Sequence, residues 1–564
     1  MRKSSAAALL AIFLTAAWIR LSPLLSFGFW GADIGEYYVL LRRLATTGHL
    51  STSYAGWGIT YPYFPGMFFA QGAVVGLSPI GVPAATNLIV PLLGALAVAP
   101  AYLIGAQVGR EGKVGLFVAA LVAVAFPHAY STSHTAPSTV GSLLVFAALL
   151  LFLRLGRDSK AALPVGLVTA ALVVTHHLSS YFLILMVLGT LVFRGLLRPV
   201  GGSAGLRREL AYAVYLVLVT FAFWFGYATT FRDGILHDVN VRPWYLPLLA
   251  FPALVVAMAA TVLARRRVSW RYRPAYPSLR RAIALYALTV VSMFGLLAAL
   301  SVGTVPGTTI SLSPIVILAF APLCVLLALS AMGRKFADFL RDGSAMTAWL
   351  LALLASIGVG AIVAPRVIIP YRHIEFLLLP LAFLGAVGLF RVLDLADVSQ
   401  RRRAVAVGAC GVLLLASAAL AIPPPEMIAQ WQEGIRPAAI DMAVWTQDHI
   451  DGLLAADHRA SSLAFGFGGV DATWDRTRLP FLAETFTDSL PGLVGVEVPS
   501  GTRDVAYVWI DEDIRRGVQL YPWEPAVPMP PRAIAKFSES PFVKIFDNGY
   551  GQIYRIAWDC DGSC

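Results

Sequence analysis

Residues 6–38 read AAALLAIFLTAAWIRLSPLLSFGFWGADIGEYY. Through Leu25 the only charge is Arg20, and about 20 such residues carry a helix across a hydrocarbon core. A basic Met1-Arg2-Lys3 start precedes the run, as in a secretory leader. No small-residue cleavage site follows it, so it reads as an uncleaved first membrane helix. Two carboxylates, Asp33 and Glu36, come directly after it, with Tyr37 and Tyr38 behind them.

The apolar texture continues along the chain. Of its 564 residues, 58% are hydrophobic and 13% charged, whereas soluble domains carry about 25% charged residues. Too little polar surface exists to face water, and backbone amides find no partner in lipid, so each crossing must be a helix. Basic residues cluster at Arg2-Lys3, Arg110/Lys113, Arg154/Arg157/Lys160, Arg194 to Arg208, Arg265 to Arg281, Arg334/Lys335/Arg341 and Arg391 to Arg403. Neighbouring clusters leave room for two crossings, and the intervening loops are rich in Pro, Gly, His and aromatics. Cytoplasmic loops favour Lys and Arg, which places these clusters, and the N-terminus, in the cytoplasm.

Thirteen transmembrane helices are thereby predicted near 6–25, 84–108, 113–128, 137–154, 161–175, 178–194, 209–230, 245–264, 282–302, 312–332, 347–364, 374–391 and 404–422. An odd number puts the C-terminus outside. Residues 62–77 are also apolar, but a crossing there breaks the alternation of charge, so they are assigned a juxtamembrane or re-entrant place. The predicted fold class is a polytopic α-helical protein of the plasma membrane. Residues 1–422 form the membrane domain, with 26–83 as its first external loop, and 423–564 form a small external α/β or α+β domain.

The tail opens with Pro423-Pro424-Pro425 and then shows a helical pattern at Ile435, Ile440, Met442, Ala443 and Trp445. Strand-like runs follow at 505–510, 542–546 and 553–556, with Asp547-Asn548-Gly549 as a hairpin turn. Residues 1–422 hold 32 Lys and Arg against 12 Asp and Glu, and residues 423–564 hold 11 against 20. The basic excess belongs to the membrane part and reports topology. Nucleic-acid binding would require a basic stripe with stacking aromatics. Cys324 and Cys410 lie in apolar runs. Cys560 and Cys564 end the chain, and the sequence leaves open whether they are bonded. No Cys/His spacing suits zinc.

Asp33 and Glu36 are three residues apart and share a face of a helical turn. Carboxylates at headgroup depth are costly, which favours a functional role. One can take a proton from an acceptor hydroxyl, and two can share a divalent cation such as Mg or Mn. A capping box at the start of a short helix explains the same spacing. A second candidate is Arg366-Val-Ile-Ile-Pro-Tyr-Arg372-His373-Ile-Glu375, on the external side by the loop count. Guanidinium groups grip phosphate oxygens as a fork. An Arg372–Glu375 ion pair, with Arg366 reaching to headgroups, is the structural alternative. His128 and His134 flank one external turn, and His176-His177 form another. Histidines there can donate to a phosphate or simply satisfy neighbouring helices. Arg232-Asp233, His237-Asp238 and Arg242-Pro243-Trp244 are weaker candidates for a donor entrance. Asp457-His458-Arg459 reads as a loop of the tail, because consecutive residues do not face one another as a triad would.

A first membrane helix, an external loop opening with an acidic pair and aromatics, and then Tyr61-Pro62-Tyr63-Phe64-Pro65-Gly66 together resemble the GT-C glycosyltransferases. That family includes protein O-mannosyltransferases, aminoarabinose transferases and oligosaccharyltransferase catalytic subunits. The resemblance implies transfer of a sugar from a polyprenyl (dolichyl) phosphate donor to a glycan, lipid or protein acceptor of the cell envelope. It implies Asp33 as the catalytic carboxylate, with Glu36 as its partner. It implies an arginine at this helix start for the donor phosphate, Arg372 first and Arg366 second; by position His373, His176 and His177 are candidates for the same phosphate, and Tyr37, His134 and Arg232 for weaker contacts. Oligosaccharyltransferases carry a Trp-Trp-Asp-x-Gly motif in the C-terminal region. Here the nearest sequences are Trp431-Gln, Trp445-Thr-Gln-Asp and Trp474-Asp-Arg, which favours single-sugar transfer over en bloc transfer to asparagine. A transporter or flippase is the rival reading, but such folds favour repeats and midplane charges, which this sequence lacks.

Overall fold

The computed structural model describes residues 3–197, 204–239, 276–301, 314–340, 342–363, 372–397, 399–419, 421–422, 432–520 and 526–558. The expected span 245–264, the Pro423–Pro425 linker, Arg366, Arg242-Pro243-Trp244 and Cys560/Cys564 lie outside the described residues.

The described chain is mostly helical and divides into two compact units. The first comprises Met1–Arg20, Leu92–Thr132 and Pro137–Ile422; the second comprises Leu21–Pro91, Ser133–Ala136 and Pro423–Cys564. Among the described residues, seven helices are long and apolar enough to cross a membrane: Ser4–Leu25, Val82–Gly109, Pro137–Leu155, His177–Arg194, Gly205–Tyr227, His373–Leu395 and Gln400–Ala419. The apolar helix Gly66–Leu77 is shorter, at 12 residues.

The first unit is a helix bundle in which close packing depends on small residues, as expected where lipid competes with side chains for apolar contact. Helices Pro314–Ala337 and His373–Leu395 meet at Gly333 and Gly388, where a Cβ on either would collide with the backbone of the other helix. Arg20 is buried and donates to the carbonyls of Ala16, Val122 and Ala123 and to Thr132 Oγ1. His128 lies 2.9 Å from the same guanidinium and 3.2 Å from Ser142. Its role is therefore to satisfy a buried arginine. Arg157, Arg194, Glu209 and Asp342 form one ionic cluster, which brings together residues from three of the basic loops.

The second unit has a mixed sheet over helices. Strands are β1 (Phe29–Trp30), β2 (Gly434–Ile435), β3 (Leu453–Ala455), β4 (Val496–Val498), β5 (Gly501–Arg503), β6 (Val505–Asp511), β7 (Phe542–Asp547) and β8 (Gly551–Ile556). The four-stranded sheet has the order β3-β6-β8-β7, with β3 parallel to β6 and the other pairs antiparallel. Asp547-Asn548-Gly549 turns β7 into β8. Gly549 there takes φ +82°, and Asn548 Oδ1 accepts from the amides of Tyr550 and Gly551. The first-loop strand β1 pairs with β2, and Phe29 and Ile34 are buried in the same core as Met442, Trp509 and Ile553.

Candidate active site

The helix Ile34–Thr47 starts at Asp33, which occupies the N-cap position without making a side-chain cap bond. The capping explanation of the acidic pair therefore does not describe this carboxylate, which is turned elsewhere. Its Oδ1 lies 2.7 Å from His458 Nε2, and its Oδ2 accepts from Tyr61 Oη at 3.3 Å and Tyr37 Oη at 3.4 Å. The two tyrosine hydroxyls also touch each other at 3.2 Å. The Asp33 side chain is 30% exposed while His458 is 2% exposed. The carboxylate thus stands at the surface on a buried imidazole. Burial opposes a charge on His458, but the hydrogen bond and charge of Asp33, backed by Glu36 and Asp475, outweigh it and raise its pKa.

Local sequence explains the meeting. Asp457 caps the helix His458–Leu463 by accepting from Ala460 N at 2.9 Å, and it also accepts from Gln519 N. This fixes where His458 points. Gly35 has no side chain because the Ser462 backbone carbonyl occupies the space a Cβ would need, and its amide donates to Ser462 Oγ at 3.0 Å. The start of helix Ile34–Thr47 therefore touches the end of helix His458–Leu463, backbone to backbone. Trp57 crosses the His458 ring edge-on at 4.7 Å and donates to Asp475 Oδ2. A further acid, Glu433, accepts from Ala32 N at 2.9 Å and lies 3.4 Å from His134 Nε2, whose ring stacks on Trp30. His134, one of the sequence candidates, is thus built into the turn that carries Asp33.

Glu36 is fully buried. Both its oxygens lie within hydrogen-bond reach of Gly58 N, and Oε1 also accepts from Tyr54 Oη at 3.0 Å. Its work is to hold the 54–58 loop. That engagement does not suit a cation shared with Asp33. Among the described residues no cluster of three or more His, Cys, Asp or Glu is arranged to hold a metal ion. No step below is routed through one.

Burial raises the Glu36 pKa from 4.5 to about 7, against the Gly58 amide that favours the anion. A raised folded-state pKa contributes stability that is present below the unfolded value and lost as pH rises through about 7. The full shift is worth about 3 kcal/mol. The wild-type protein should therefore lose several degrees of Tm between pH 5 and pH 8 relative to E36Q. Asp33 supplies more of the His458 shift than Glu36 does and is kept in E36Q, so the difference between the proteins reports Glu36 together with its coupling to His458. Parallel Tm curves would refute the assignment.

In the first unit the structure gathers Arg372, His176 and His177. Arg372 is the N-cap of the 23-residue helix His373–Leu395, and its charge acts on both histidines. Their rings lie 5.0 Å apart at the turn before helix His177–Leu197. His176 Nδ1 is taken up by Ser179, and His177 packs on Phe231. His373 is buried with its Nε2 2.8 Å from Ser356 Oγ and its ring against Phe182. Arg232 pairs with the adjacent Asp233 at 2.8 Å.

No protein-family model matches the chain, and no curated protein matches it. Solved structures do. The archaeal oligosaccharyltransferase AglB from Archaeoglobus fulgidus, in complex with an inhibitory peptide and a dolichol-phosphate, is 13% identical with a TM-score of 0.58 over 100% of this chain and 75% of that one. The A. fulgidus oligosaccharyltransferase tethered to an acceptor peptide containing the NVT sequon is 14% identical with a TM-score of 0.59, over 92% and 70%. The mycobacterial arabinofuranosyltransferase AftD is 16% identical with a TM-score of 0.48, over 100% and 40%.

The fold is that of the Archaeoglobus fulgidus oligosaccharyltransferase structures.

That fold, with several apolar helices long enough to span a bilayer, describes an integral membrane protein. Fold does not fix chemistry, so the site residues must carry the functional reading. Sequence reasoning placed Asp33 in the candidate site, set His458 aside and did not single out Glu433. The signal for His458 was Asp457 as a cap three residues before the Ala460 amide. Nothing in the sequence marked Glu433 apart from Glu426, the other acid just behind the proline linker.

Proposed function

We propose that this protein transfers a sugar from a polyprenyl (dolichyl) phosphate donor to an acceptor hydroxyl at the external face of the membrane. The observation that carries this reading is the Asp33–His458 pair, a surface carboxylate oriented by a buried imidazole inside a GT-C fold. In the reaction Asp33 accepts the hydrogen bond, and then the proton, of the attacking hydroxyl. The acceptor oxygen bonds to the anomeric carbon as the bond from that carbon to the phosphate oxygen breaks. The lipid phosphate leaves with the electron pair, and the centre inverts.

His458, as a positioning residue, fixes the direction of the Asp33 lone pairs. Tyr37 and Tyr61 hold the other carboxylate oxygen, and Glu36 keeps the 54–58 loop in place. Arg372 is assigned the donor phosphate. Its place at the start of a long helix supports this, because helix N-termini and guanidinium groups both favour anions. His176 and His177 line the same place, and His373 braces the helix start through Ser356. Arg366 is assigned to the same phosphate from the segment before Arg372.

The test supplies the purified full chain with polyprenyl-phosphate-linked hexoses and pentoses and measures release of polyprenyl phosphate. R372Q should raise the donor KM roughly 10- to 100-fold, the value of a charged phosphate contact. Absence of release from every lipid-phosphate donor, with the wild-type chain folded, would overturn the assignment. So would an unchanged donor KM in R372Q.

A further inference from the structure

Between the candidate spans Ser4–Leu25 and Val82–Gly109, the chain holds no Asp or Glu after Glu36, and its only Lys or Arg residues are Arg42 and Arg43. The positive-inside pattern does not account for this pair, because the loop lies between spans on the predicted external side. Neither arginine makes an ion pair or side-chain hydrogen bond among the described residues. Arg42 is exposed, its guanidinium 5.5 Å above the Tyr38 ring.

Beside them, helices Ile34–Thr47 and Gly66–Leu77 leave a cleft of about 440 Å³ lined by Leu44, Ala45, Gly48, Phe69, Gly72 and Gly76, with no charged or polar side chain among its walls. Ala45 is three residues beyond Arg42 on the helix, so the guanidinium and the cleft wall share a face. Gly72 keeps the cleft open at the helix crossing, where a Cβ would come within 3.0 Å of Leu44. Phe69 is 53% and Leu77 89% exposed at the cleft's margin.

Chain length limits where this cleft can be. The 66–77 helix is about 18 Å long, too short to cross a core of about 30 Å. Leu77 precedes the span beginning at Val82 by five residues, a reach of at most about 17 Å. An apolar slot held this near a bilayer, with the exposed Arg42 guanidinium on the same helix face and Arg43 beside it in the chain, matches an amphiphile with an anionic head.

We propose that Arg42, Arg43 and this cleft form a binding site for an anionic membrane phospholipid. The phosphate lies against the arginines and one acyl chain occupies the slot. These residues are distinct from those assigned to the donor, and the inference does not rest on the glycosyl-transfer reading.

The experiment reconstitutes the full chain in mixed phosphatidylcholine–phosphatidylglycerol nanodiscs containing a trace of photoactivatable phosphatidylglycerol, and maps crosslinked peptides. Crosslinks should concentrate on residues 66–77 and exceed those from photoactivatable phosphatidylcholine. R42Q/R43Q should lower the phosphatidylglycerol signal there about 25-fold, roughly fivefold per arginine, and leave crosslinks at the basic loops 401–403 unchanged. Gly72→Leu, which fills the slot, should lower it as well. Equal labelling by the two lipids, or an unchanged signal in R42Q/R43Q, would overturn the proposal. Competition by millimolar inorganic phosphate without added lipid would replace it with a soluble-anion site.

Discussion

Asp33→Asn should reduce sugar transfer by about three orders of magnitude, within the range of 10²- to 10⁴-fold that a positioned proton acceptor supplies. The change keeps the shape of the side chain and one oxygen that can accept from His458 Nε2, while the amide NH2 in place of Oδ2 can donate to the tyrosine hydroxyl oxygens. It removes the basic oxygen. With Asp33 partly exposed, loss of its ion pair with His458 should cost little stability, so Tm should stay within a few degrees of wild type. The donor KM should hold while kcat falls, because the lost interaction belongs to the transition state. Turnover within fivefold of wild type would remove Asp33 from the chemistry. A matching loss of folded protein would make it structural.

A second large effect is expected away from the site. Arg459 and Asp511 are both fully buried, and Arg459 Nη2 lies 2.7 Å from Asp511 Oδ2. Asp511 also accepts from Trp509 Nε1 and from Ile514 N, so it joins the end of β6 to the helix Glu512–Arg516. D511A leaves a guanidinium without its counter-charge in the interior, a change that typically costs about 3–5 kcal/mol. Hydrogen exchange in peptides spanning 453–463 and 505–516 should accelerate by more than a hundredfold, with the helices of the first unit unaffected. Replacing both partners, as Arg459→Met with Asp511→Leu, should cost less than D511A, because neither charge is then stranded. Protection unchanged in D511A would show that the pair carries no stability.

The membrane part of the fold was legible because lipid leaves the chain few choices. The run read at 374–391 is the core of helix His373–Leu395, and the turn at His176-His177 stands before helix His177–Leu197. Loop charge put Arg157, Arg194 and Arg341 on one side, and the contacts of Arg157 and Arg194 with Asp342 agree with that grouping. The hairpin at Asp547-Asn548-Gly549 was legible because turn chemistry is local.

The site was only half legible. Asp33 stood out by its position after a membrane helix, but its partner is 425 residues away in sequence. A histidine between Asp457 and Arg459 looked like part of a polar loop: the Asp457 cap is local and could be read, but the Asp33 and Asp511 partners of His458 and Arg459 appear only in three dimensions. Glu36 shows the opposite case. Its spacing from Asp33 suggested a shared task, while burial gives it to the 54–58 loop.

The backbone-to-backbone seam at Gly35 and Ser462 has a bearing on biogenesis. The ribosome releases the first loop early, yet the imidazole that orients its carboxylate is encoded more than four hundred codons later. Until that late segment has emerged and folded, Asp33 stands without its histidine, and non-local closure of this kind is slow. A nascent chain arrested before β3 would be inserted in the bilayer but idle. On the proposed function, the order of synthesis would then keep the donor from being consumed by an unfinished chain.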